Sequence, residues 1–111
     1  MNVREDAVLA VSGRYDAFEA PKTKRWIDAQ LDAGESLLLI DMTDATFVDS
    51  TALATLVQGM KHCRQQSGDL LLCGLQQSVR IIFELTRLDQ AFRIYPTRAD
   101  ALAAEWTPDY T

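Results

Sequence analysis

Thr46-Phe47-Val48-Asp49-Ser50-Thr51-Ala52-Leu53 hands an apolar strand over to an amphipathic helix, and reading it decides the fold. Upstream, Leu37-Leu38-Leu39-Ile40 is a short continuous apolar run of the kind required by a strand buried on both faces. Downstream, Leu53, Leu56, Val57 and Met60 recur at i, i+3, i+4 and i+7, one stripe of a helix. Ser50 therefore falls at or next to a helix N-cap, just past the carboxyl end of a strand. Open α/β sheets place their working residues there. A serine so placed can cap the helix, receive a phosphate, or do both.

The same rhythm spreads outward. Ala7 to Ser12 reads as a strand closed by Gly13, and Met1 to Arg4 as an edge strand pairing with it through a turn at Glu5-Asp6. Pro21 suits the first turn of a helix running to about Ala33, with Ile27 and Leu31 inward and Gly34 as the stop. The strand from Leu37 to Asp41 leads into the loop and a helix ending near Ser67-Gly68. Leu70-Leu71-Leu72-Cys73 is a second buried run, and two such strands joined by a helix make a parallel βαβ unit. Ser78 caps a short helix carrying Val79, Ile82 and Phe83, with Ile81, Leu85 and Leu88 on an adjoining stripe. Ala91 to Tyr95 follows as a strand, and Thr97-Arg98-Ala99-Asp100 opens a final helix bearing Leu102 and Trp106, after which the last residues fray. The expectation is one α/β domain over residues 1–111, with a small mixed, largely parallel sheet of four to five strands and four helices.

Composition narrows the function. With 111 residues, 48% apolar and 24% charged, the chain has room for one ordinary core. A formal charge of −5 argues against a nucleic-acid groove, which needs a basic face. Lys22, Lys24 and Arg25 form the basic cluster and read as a solvated helix face. No apolar run reaches the roughly 20 residues of a membrane span, so no direct membrane insertion is expected. Arg4, Glu5 and Asp6 do not fit a secretory signal, and the domain reads as cytoplasmic. Cys63 and Cys73 then read as buried thiols.

Catalytic machinery is hard to assemble. The glycines at 13, 34, 59, 68 and 74 are too widely spaced for a Walker or dinucleotide loop. His62, the single histidine, follows Ser50 by twelve residues, roughly 18 Å along one helix, so it cannot act as the serine's base. His62, Cys63 and Cys73 are one ligand short of a zinc site, and neighbouring helical residues diverge. Neither metal, cofactor nor enzymatic turnover is expected. Of the acids near the junction, Asp41 reads as closing a strand and Asp44 as solvated, whereas Asp49 stands beside the hydroxyls.

These residues carry a resemblance. Val11-Ser12-Gly13-Arg14-Tyr15-Asp16, Leu39-Ile40-Asp41-Met42-Thr43, Phe47-Val48-Asp49-Ser50-Thr51-Ala52-Leu53, Gly68-Asp69-Leu70, Leu72-Cys73-Gly74-Leu75, Val79-Arg80 and Leu85-Thr86-Arg87-Leu88-Asp89 occur in the order and spacing of a STAS domain. The chain resembles the stand-alone bacterial anti-sigma factor antagonists of that family. The resemblance implies binding to an anti-sigma factor that is also a serine kinase, displacing the sigma factor. The kinase phosphorylates the serine after the motif's aspartate, here Ser50, which ends the antagonism, and a serine phosphatase reverses it. The resemblance also implies partner contacts by Asp16, Asp49, Thr51 and Ala52. The family more often has Ser-Gly where Thr51-Ala52 stand, and Thr51 supplies a second acceptor hydroxyl. The alternative within the family is a non-switching scaffold or a cytoplasmic accessory module of a transporter.

Overall fold

The computed structural model describes residues 1–108, so the fraying expected of the last residues falls largely outside the described part. Nine elements follow one another along the described residues: β1 (Val8–Tyr15), α1 (Ala20–Asp32), β2 (Leu37–Val48), α2 (Ser50–Gln65), β3 (Asp69–Cys73), α3 (Gln77–Leu85), α4 (Leu88–Ala91), β4 (Ile94–Tyr95) and α5 (Arg98–Ala103). The strands form one sheet in the order β1-β2-β3-β4, and every neighbouring pair is parallel. The fold class is the expected one, in a wholly parallel version and with five helices where four were expected.

The core explains the order. Leu37 to Met42 and all of Asp69 to Cys73 are buried, as the central strands of a covered parallel sheet must be. Helices α1 and α2 lean on each other, α2 also covers β2 and β3, and α3 packs on β2. Gly59 allows the α1–α2 approach, since a Cβ there would sit 2.6 Å from Ile27 Cδ1.

Several local readings are corrected. Met1 to Arg4 forms no strand: the Glu5-Asp6 turn is present, but Met1 is bound to Trp106 near the other terminus. β1 passes through Gly13, which adopts φ 64° inside the strand and lets it continue to Tyr15. β2 runs on to Val48 because Ser12 to Tyr15 pair with Asp44 to Val48, across two register shifts that accommodate extra residues in β2. Asp41 consequently lies within a strand. It is 8% exposed and receives hydrogen bonds from Thr43 Oγ1 (2.5 Å), Thr43 N (3.0 Å) and Arg98 Nε (2.8 Å).

Towards the C-terminus, Gln76 occupies the N-cap of α3, and the Ser78 hydroxyl instead donates to Thr46 O at 3.2 Å. The apolar stripe from Ile81 to Leu88 is split at Arg87, whose φ of 61° separates α3 from α4. Thr97 caps α5 as expected, its hydroxyl accepting from Asp100 N. Helix α5 ends at Ala103, so Trp106 lies beyond it, buried, with its indole N–H donating to Asp69 Oδ2.

Candidate functional site

Tyr15 closes β1 and Val48 closes β2 at one end of the sheet, and the backbones are joined there by Asp49 N donating to Tyr15 O. Asp49 is the N-cap of α2, in extended conformation, and its Oδ1 accepts from Ala52 N at 2.8 Å. Its Oδ2 accepts from Ala17 N at 2.9 Å, across to the loop between β1 and α1. One half-buried carboxylate therefore ties two loops together, with both oxygens engaged.

Asp16 organises the facing loop. Its Oδ1 accepts from Phe18 N (3.1 Å) and Glu19 N (3.3 Å), and its backbone carbonyl accepts from Glu19 N and Ala20 N. The exposed Arg14 guanidinium lies 3.9 Å from Asp16 Oδ2 and stacks 4.1 Å from the centroid of the Phe47 ring. Behind them Tyr15 is 1% exposed. Burial pushes its phenol up to about 12, with the Thr23 side chain pulling the other way, so Tyr15 stays neutral at physiological pH.

Ser50 occupies the first helical position of α2, one residue after the cap, and is exposed. Its hydroxyl makes no hydrogen bond to any described residue. Thr51 is also exposed and borders the groove between α1 and α2, beside Lys24 and Asp28. Asp16, Asp49, Ser50 and Thr51 are thus brought to one end of the sheet. Ala52 is not brought to the surface: its side chain is fully buried in the core, which removes it from any contact surface and leaves it only the N–H that Asp49 caps.

Several large apolar side chains are exposed, which sequence spacing did not reveal. Phe18 is 79% exposed, Phe47 36%, and on α3 Ile81 and Leu85 are 43% and 79% exposed. Leu88, expected on that stripe, is half-buried against the core instead. Phe18 falls in a loop without periodicity, and Leu85 has the spacing of a core residue, so neither carried a signal of exposure.

The remaining reactive groups lie elsewhere. His62 is exposed on the same helix as Ser50, twelve residues further along it. Cys63 and Cys73 are buried free thiols, each pushed up to about 12, first by burial and then by the nearby Asp69 and Asp41 carboxylates respectively. Among the described residues no helix is long and apolar enough to cross a membrane.

Comparison with known proteins agrees with this architecture. Residues 1–101 match the family model of the STAS domain. An anti-sigma-B factor antagonist of Listeria monocytogenes is 34% identical over 86 residues, which cover 78% of this chain and 75% of that protein. The crystal structure of an anti-sigma factor antagonist from Mycobacterium paratuberculosis superposes with a TM-score of 0.77 at 29% identity, covering 92% of this chain and 88% of that one. Bacillus SpoIIAA in its phosphorylated form superposes with a TM-score of 0.68 at 17% identity, covering 85% of each chain, and so shares the fold. With a sheet, a capped junction and a family match that coincide over almost the whole length, this chain belongs to the STAS domain family.

Proposed function

We propose that the chain is a cytoplasmic anti-sigma factor antagonist, without enzymatic activity of its own, that binds an anti-sigma serine kinase and is released when Ser50 is phosphorylated. The observation that carries this reading is the division of labour between neighbours. Asp49 caps α2, so the Ser50 hydroxyl has no structural duty and faces solvent. The similarity to the Listeria antagonist supports the same role.

The chemistry fits such a substrate. The γ-phosphoryl of ATP passes to Ser50 Oγ, ADP leaves, and the hydroxyl proton goes to a base of the kinase. Asp49 is a poor candidate for that base, since both its oxygens already accept backbone N–H groups. The product adds about −1.5 to −2 charge at pH 7. At a helix N-terminus the amides and dipole favour that charge by roughly 0.3–1 kcal/mol, and the Asp49 carboxylate opposes it. These effects offset each other within the fold. A partner packed over the exposed Ser50 would feel the new charge in a desolvated contact, where it costs several kcal/mol. A serine phosphatase would restore the neutral state.

Incubation with the serine kinases of the same genome and ATP, followed by mass spectrometry, tests this. One phosphate on Ser50, absent from Ser50→Ala, is expected, together with loss of kinase binding. Phosphate on Thr51 would move the switch by one residue. Phosphate on neither hydroxyl, with a kinase that demonstrably binds, would overturn the switch in favour of a scaffold or transporter accessory.

A further inference from the structure

We draw no further inference here: the strongest candidate, the apolar groove of about 190 Å³ between α1 and α2 beside Thr51, carries nothing, because Lys24 is already paired with Asp28 at 2.8 Å, Thr55 with the Thr51 carbonyl at 3.0 Å, and nothing in the structure shows what covers it.

Discussion

Two aspartates stand at opposite ends of this sheet and use the same hydrogen-bonding capacity to different ends. Asp69, where β3 begins, is fully buried and gathers Arg64 Nε at 3.0 Å, Leu70 N at 2.9 Å and Trp106 Nε1 at 3.4 Å. Arg64 in turn donates to Ala91 O at 2.8 Å. One carboxylate thus locks the end of α2, the central sheet and the C-terminal segment into a closed polar knot. Asp49, just past the end of β2, also satisfies both its oxygens, but with backbone N–H groups, and leaves the hydroxyls beside it in solvent. The carboxyl end of the sheet is held rigid so that something else can be offered; the amino end is sealed. Open α/β folds divide their ends in this way.

The largest test of this contrast is Asp69→Ala. Removing one partner of a buried, hydrogen-bonded ion pair costs about 3–5 kcal/mol, because the groups left behind lose an acceptor that water cannot fully replace. Urea unfolding should show that loss as a lower midpoint, while the fraction still folded keeps its affinity for the proposed partner kinase. If stability barely changed, the knot would be incidental and the asymmetry between the two ends would collapse.

Ser50→Asp reverses the pattern. Partner affinity should fall at least tenfold by calorimetry, corresponding to about 1.4 kcal/mol or more. The melting temperature should move little, because the added charge sits at an exposed helix N-terminus. A variant that unfolded would show that this end, too, serves the core. Asp49→Ala falls between the two. It deletes an N-cap, for about 1 kcal/mol, and frees the loop carrying Asp16, so stability and binding should both weaken modestly.

The contrast was only half visible in the residues. The Leu37–Ile40 and Leu70–Cys73 runs, the Pro21 and Thr97 helix starts and the Asp49-Ser50 junction were legible because each rests on local periodicity or capping chemistry. Asp69 was not: an aspartate ahead of an apolar run looks like any turn residue until Trp106, 37 positions away, folds over it. Asp41 misled for the same reason. It reads as a strand terminator because its partner Arg98 is 57 residues distant, and the pairing of Thr46 to Val48 with β1 is equally non-local. At the site, charge and hydroxyls could be read, but the exposure of Phe18 and Leu85 depends on which neighbours fail to cover them. Ala52, small and two residues after the serine, looked accessible until the helix turned it inward.

Asp41 gives the smallest effect and a third intermediate case, tied to α5 from within the sheet. Burial alone would raise its carboxyl above the ordinary 3.8, but hydrogen bonds from Thr43, Arg98 and Cys73 together outweigh burial and hold it below that value. A carboxylate whose value is lowered by folding contributes stability that is fully present above its unfolded value. That contribution is lost as the pH falls through the native one. Wild-type stability should therefore decline as the pH drops below about 4, with Asp41 adding to the slope. Asp41→Asn should lower stability at pH 7 and flatten the acid decline. Ser50→Ala should leave that acid profile unchanged, since it touches neither Asp41 nor its partners. Denaturant midpoints measured from pH 7 down to about 3 would separate the two, and an Asp41→Asn profile parallel to wild type would show that Arg98 and Thr43 hold this carboxylate without stabilising its charge.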